Sequence, residues 1–245
     1  MKKKETGISG AVLKWIAVIS MLIDHASLVI YFPLFKSRFS KDSVYEILYI
    51  FFRVIGRIAF PLFAFLIIEG LIYTRSRGRY ICKLLLFALV SEVPFDLCFL
   101  GSAYSPERQN VFFTLFIGAS MIIISERIRM LVHTKKKSIL WYYCGMLILS
   151  SVGMVLSWLL RTDYSYVGVL CLIMMWILQN DKMTATGIGF VTLILAGSIE
   201  CFASLALVPV FLYNGKRGTQ NKYFFYWFYP VHLLIFWLVV LLIKN

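Results

Sequence analysis

The chain has 245 residues, a formal net charge of +13, 60% hydrophobic content and a mean hydropathy of +0.82. Soluble domains are not that apolar, so the sequence describes an all-α, polytopic integral membrane helix bundle. The basic residues fall at alternate connections between apolar runs, which makes the charge a topology signal with some attraction to anionic lipid headgroups and not a footprint for nucleic acid.

In chain order, stretches of membrane-spanning length lie near residues 14–33, 58–74, 80–100, 110–125, 138–160, 164–179 and 223–243. The run from Thr184 to Tyr213 is long enough for two short spans if the chain turns near Glu200. The expected bundle has about nine transmembrane helices, with eight to ten as the range. Val44 to Gly56 is apolar and aromatic but contains Arg53, and is expected to lie at the interface or re-enter the membrane ahead of the second span. No loop is long enough for an extramembrane domain, so residues 1–245 are expected to form a single transmembrane domain. The first apolar run is longer and more polar at its centre than the core of a signal peptide, and is read as a retained helix. Cys82, Cys98, Cys144, Cys171 and Cys201 are scattered through apolar segments without CxxC spacing, which predicts buried free thiols.

If Lys2, Lys3 and Lys4 are cytoplasmic, that side also receives Lys14, Arg75, Arg77, Arg79, Lys83, Arg127, Arg129, Lys135, Lys136, Lys137, Lys182, Lys216, Arg217 and Lys222, which makes 17 of the 25 Lys and Arg. Lys36, Arg38, Lys41, Arg53, Arg57, Arg108, Arg161 and Lys244 fall on the other side. An odd number of spans with the N-terminus inside and the C-terminus outside obeys the positive-inside rule. Reading Thr184 to Tyr213 as one span would move Lys216, Arg217 and Lys222 outside, which argues for the hairpin.

Asp24 and His25 stand in the middle of the first run. A charge near the bilayer centre costs about 2.5–3.5 kcal/mol on insertion scales, so ionisable residues at that depth mark a functional position. Lys14 precedes His25 by close to three helical turns, and the two share a face about 16 Å apart along the axis. The second span opens Arg57-Ile58-Ala59-Phe60-Pro61 and carries Glu69-Gly70. The third holds Glu92 and Asp96 on one face, with Pro94 between them to loosen the helix. Asp24, His25, Arg57, Glu92 and Asp96 all fall in the middle or outer half of the membrane and must find partners there, for example Arg57 with Glu92 or Asp96. A neutral imidazole can act as a general base at ordinary pH. Asp24 lies about 100° round the helix from His25 and is poorly placed to bond it, which leaves Glu92 or Asp96 to orient the ring. His232, beside Pro230 in the last span, is either a second catalytic or acceptor-binding group or a structural one. His133 lies in a basic loop and reads as surface. A proton-coupled secondary transporter would also place carboxylates and a histidine near the midplane and is the alternative reading, although the two halves share no evident repeat.

Several strings are specific in combination. The residues around Asp24-His25, the run Gly56-Arg57-Ile58-Ala59-Phe60-Pro61-Leu62-Phe63-Ala64-Phe65 continuing to Glu69-Gly70, Ser91-Glu92-Val93-Pro94-Phe95-Asp96, Asn110-Val111-Phe112-Phe113-Thr114 and Phe228-Tyr229-Pro230-Val231-His232-Leu233 resemble the TraX family. The likeness runs from about residue 11 to about residue 240. That family is named for a conjugal-transfer protein that acetylates the N-terminus of pilin. It is similar in turn to the wider transmembrane acyltransferase superfamily, whose first helix carries a basic residue, then ten residues, then the catalytic histidine. Lys14 and His25 fit this pattern, while the superfamily's usual ten helices exceed the count here by one.

The resemblance implies an acyltransferase of the bacterial plasma membrane that moves an acetyl group from cytoplasmic acetyl-CoA to a hydroxyl or amine on a peptide N-terminus, a glycan or a small molecule. It implies His25 as general base, with Asp24, Glu92 and Asp96 beside it. Lys14, Arg75, Arg77 and Arg79 would grip the donor's phosphates. Arg57, Glu69, Asn110, Tyr229 and His232 would bind acceptor or hold structure. No metal is expected. With the donor inside and these polar residues in the outer half, the acceptor is expected from outside or from within the bilayer.

Overall fold

The structure, a computed structural model, describes residues 6–38, 40 and 43–244. Lys2, Lys3, Lys4 and Lys41, used above to set the sides, lie outside the described residues. The helices are α1 (Gly10–Ala26), α2 (Phe32–Phe35), α3 (Val44–Gly56), α4 (Ala59–Tyr73), α5 (Arg77–Phe99), α6 (Val111–Thr134), α7 (Leu140–Leu159), α8 (Ser165–Ile177), α9 (Lys182–Leu193), α10 (Leu207–Phe211) and α11 (Lys222–Lys244). A π-helical turn, Ser27–Tyr31, joins α1 to α2, and 3₁₀ turns at Ile194–Ala196 and Ser198–Ala206 join α9 to α10.

Short polar side chains decide where several helices begin. Ser9, Ser43, Ser76, Asn110 and Asp181 each accept a first-turn backbone N–H, ahead of α1, α3, α5, α6 and α9. At α3 the string Ser43-Val44-Tyr45-Glu46 has the spacing of a capping box.

Helices α3 and α4 are not an interfacial segment followed by a span. Val44–Tyr73 runs as one apolar helix of membrane length, broken only at Arg57-Ile58. Arg53 is tolerated inside the span because Asp24 neutralises it, as described below. The Thr184–Tyr213 stretch does turn back on itself. Glu69 near the end of α4 meets both Lys182 and Tyr213, whereas Glu200 between them meets Arg57 at the opposite end. Counted this way, the described chain passes nine times between the two ends of an all-helical bundle. One end gathers Gly10, Ala11, Lys216 and Arg217 through backbone bonds, and the other joins Gln109 to Thr162. These are called the near and far ends.

α4 is the centre, with Phe60, Leu62, Ala64, Phe65, Ile67, Ile68 and Leu71 all buried. α7 is the periphery, where only Gly153 and Ser157 are buried and Trp141, Leu147, Ile148 and Trp158 face outward. A hydrocarbon surround makes this exposure favourable. α1 and α3 cross so closely that a Cβ on Gly56 would overlap the Asp24 carboxylate. All five cysteines are free, but only Cys171 is buried, because Cys82, Cys144 and Cys201 sit on outward helix faces.

Candidate functional site

Three groups of polar residues stand out, with Glu92 and Asp96 apart from them. The first is an ion network in the far half. Asp24 accepts from Arg53 Nη1 at 2.6 Å and from Arg57 Nη2 at 2.7 Å, and Arg57 Nη1 donates to Glu200 Oε1 at 2.6 Å. Asp24, Arg57 and Glu200 are buried. Tyr164 lies beside Arg57, with its hydroxyl 3.4 Å from Nη1 and its ring stacked on Phe60. The expected pairing of Arg57 with Glu92 or Asp96 is therefore replaced. α3 lies against α1, and the 3₁₀ turn that carries Glu200 closes over it, so other carboxylates reach the guanidinium first.

Glu92 and Asp96 go elsewhere. Asn110 Nδ2 donates to Glu92 Oε2 at 2.5 Å and to the Ala88 carbonyl at 2.8 Å, while Asn110 Oδ1 caps α6. Asp96 Oδ2 accepts the Ser105 N–H at 2.7 Å. Asn110 thus pins α5 to α6, and the two carboxylates anchor the connection between these helices. Neither orients His25 by a hydrogen bond.

The second group does. His25 Nδ1 lies 2.9 Å from His232 Nε2, with ring planes 12° apart and centroids 5.2 Å apart, and His232 Nδ1 lies 2.9 Å from the Phe228 carbonyl. The parallel packing of α1 and α11 brings these residues together. Phe99 meets the His25 ring edge-on at 5.2 Å and Phe236 meets His232 in the same way, so the pair sits in an aromatic cage. The π-helical turn begins two residues after His25. Such turns shift the register of the following helix face and occur often at functional sites.

The third group lines a cavity of about 740 Å³ that opens at the near end. Lys14, Arg75, Arg79, Lys83 and Arg217 line it, followed inward by Val18, Met21, Phe63, Leu115, Phe112 and Tyr229. Met21 is one turn before His25, and Tyr229 is three residues before His232, so the inner end lies about one turn short of the histidine pair along both helices. Gln220 lines the same cavity, and its buried Oε1 has no hydrogen-bond partner among the described residues. Glu69 is also in the wall, held by the Tyr213 hydroxyl at 2.9 Å and Lys182 at 3.4 Å.

Of the near-end cations singled out from the sequence, Lys14, Arg75 and Arg79 face the cavity, whereas Arg77 lies over the Trp176 ring at 5.9 Å and is not in its lining. Lys83 and Arg217 were not anticipated as lining residues. Lys83 was legible, being four residues after Arg79 and so on the same face. Arg217 lies in a loop, where periodicity gives no signal. His133 is exposed, in the last turn of α6 rather than in a loop.

The family model for the TraX protein matches residues 9–240. The chain belongs to the TraX family. A relative of this TraX chain, the probable fimbrial assembly protein FimC of serogroup H1 from Dichelobacter nodosus, is 25% identical over 248 residues, spanning 91% of the chain and 92% of its own length. No solved structure matches the chain.

Proposed function

We propose that this TraX protein is an acetyl-CoA-dependent acyltransferase of the bacterial plasma membrane, N-terminus inside, acting on a pilin or fimbrial subunit or another hydroxyl or amine acceptor. The observation that carries the reading is the cavity. Its mouth is ringed by cations that form no salt bridge among the described residues, its shaft is apolar, and its inner end stops about one turn from His25. This graded polarity fits a donor that is polyanionic at one end and carries its thioester on a long, weakly polar arm. The unpartnered Gln220 Oε1 fits an amide N–H of that arm. The name of the Dichelobacter relative supports a subunit of a surface fibre as the acceptor.

In this reading Lys14, Arg75, Arg79, Lys83 and Arg217 hold the phosphates by charge-assisted hydrogen bonds. His25 takes the proton from the acceptor amine or hydroxyl as the acceptor attacks the thioester carbonyl, then returns it to the sulfur as the C–S bond breaks, so CoA leaves as the thiol and the acetyl group ends on the acceptor. Asp24 has no direct part, because both its oxygens are occupied by Arg53 and Arg57. That occupation also weighs against a transporter's proton relay through Asp24.

The test is incubation of purified protein with labelled acetyl-CoA and candidate acceptors, including a peptide with a pilin-type N-terminus, following CoA release and acceptor mass. Wild-type protein is expected to release CoA only with a competent acceptor, and His25→Ala to lower turnover by about 10²- to 10⁴-fold while still binding donor. Near-normal turnover in a well-folded His25→Ala protein would sink the assignment.

A further inference from the structure

The direction of each hydrogen bond at the histidine pair follows from one group. The Phe228 carbonyl can only accept, so in the 2.9 Å contact with His232 the proton sits on Nδ1. A neutral imidazole carries a single N–H, so His232 Nε2 is left with a bare lone pair. The 2.9 Å contact to His25 then requires a proton on His25 Nδ1, because two lone pairs facing each other at that distance would repel. What remains is His25 Nε2, the one nitrogen of the pair that can take a proton without breaking an existing bond.

The geometry suits this chain of donors. With ring planes only 12° apart and the bonded nitrogens at the facing edges, the rings lie edge to edge, so the His232 lone pair points along the contact. His232 is held firmly. It is buried, its ring lies 5.1 Å from that of Phe228 at 16°, and Phe236 packs against it at 5.6 Å and 85°. Among the described residues no carboxylate bonds either ring: Asp24 is held by Arg53 and Arg57, Glu92 by Asn110 through Oε2 and Asp96 by Ser105 through Oδ2.

We propose that His232 is the positioning residue of the His25 base. The chain from the Phe228 carbonyl through His232 to His25 fixes His25 as the Nδ1–H tautomer and presents Nε2 to the acceptor. When Nε2 takes the acceptor's proton, the resulting imidazolium keeps its Nδ1–H donated to His232, so the charge forms on a ring whose other donor is already satisfied. The catalytic consequence rests on the acyltransferase reading, whereas the tautomer does not.

The experiment is nitrogen NMR on the full-length protein in nanodiscs, labelled with ¹⁵N-histidine, with resonances assigned through single variants of the three histidines. In the wild-type protein His25 is expected to show a protonated Nδ1 and an unprotonated Nε2. His232→Phe keeps ring bulk against Phe228 and Phe236 but removes both nitrogens, and should move His25 to the Nε2–H tautomer or a mixture. The same variant should lower kcat by about 10²-fold with KM for acetyl-CoA within about twofold, an effect between those of an orienting partner and of the base itself. His232→Gln, whose amide can donate to the Phe228 carbonyl and accept from His25, should recover about tenfold of that loss. An Nε2–H tautomer at His25 in the wild-type protein would overturn the proposal, as would a His232→Phe protein with unchanged tautomer and unchanged kcat. Absence of turnover by the wild-type protein with every acceptor would overturn the acyltransferase reading instead, and is told apart because the spectra need no activity.

Discussion

The charges around Arg57 in the far half of the bundle face one another, whereas the cations around Lys14 at the near end face a cavity. Asp24, Arg53, Arg57 and Glu200 are joined by bonds of 2.6–2.7 Å, with Glu200 Oε2 left without a partner among the described residues. Lys14, Arg75, Arg79, Lys83 and Arg217 line the cavity, Lys14 also over the Phe225 ring and Lys83 over Tyr223, and among the described residues none is in an ion pair. The far group is costly at its depth, the near group follows the positive-inside rule, and both look functional in a sequence. The difference is what satisfies them. A buried group bonded to other residues of the same fold explains itself as architecture, and a cluster of like charges lining a cavity is open to an anionic ligand as well as serving topology.

The comparison breaks most sharply at Arg57. Replacing it with Leu leaves Asp24 short of a partner and Glu200 uncompensated, and should destabilise the protein by about 3–5 kcal/mol in thermal or denaturant unfolding in detergent. Adding Glu200→Leu should return part of that loss. An Arg57→Leu protein within about 1 kcal/mol of wild type would mean that the far network is not structural.

At the near end the loss should appear in binding and not in folding. Lys14→Gln and Arg79→Gln are each expected to raise KM for acetyl-CoA by about 3- to 30-fold with little change in kcat, and the effect should shrink for acetyl-pantetheine, which lacks the nucleotide. Unchanged KM in both variants would reduce these residues to topology. Arg77 sharpens the contrast, because it shares the chain segment but lies over Trp176. Arg77→Gln should leave KM within about twofold. The smallest expected effect belongs to a helix start. Ser43→Ala removes the cap of α3 and should cost about 0.5–2 kcal/mol of stability without altering turnover by donor-saturated enzyme.

Much of this was legible in the chain. Apolar run lengths gave the bundle, and the charge balance around Thr184 to Tyr213 gave the hairpin, since only a return pass keeps Lys216 and Arg217 on the side of the other cations. Lys14 and His25 could be placed on one face because a single helix joins them. The continuity of α3 with α4 was missed because Arg53 and Arg57 resemble interfacial residues until Asp24, 29 and 33 positions away, is seen to neutralise them. The partner of His25 was missed for a related reason. His232 lies 207 residues on, and its register against α1 is set by how α11 packs between α1 and α5, which no local pattern encodes. Carboxylates are the usual orienting partners, so Glu92 and Asp96 were the natural expectation. The cap provided by Asn110 and the Ser105 N–H, which draw those carboxylates away, involve a connection whose path the sequence does not specify.

The most direct test of the central claim, that the near-end cavity is a donor channel leading to the histidine pair, is photolabelling with a CoA thioester whose short acyl group carries a photoreactive carbene precursor, followed by peptide mass mapping. The account predicts adducts at Met21, Phe112 or Tyr229, at the inner end of the cavity, suppressed by excess acetyl-CoA and weakened in Arg79→Gln. Adducts confined to the outward face of α7, or labelling at the inner end that acetyl-CoA does not suppress, would contradict it.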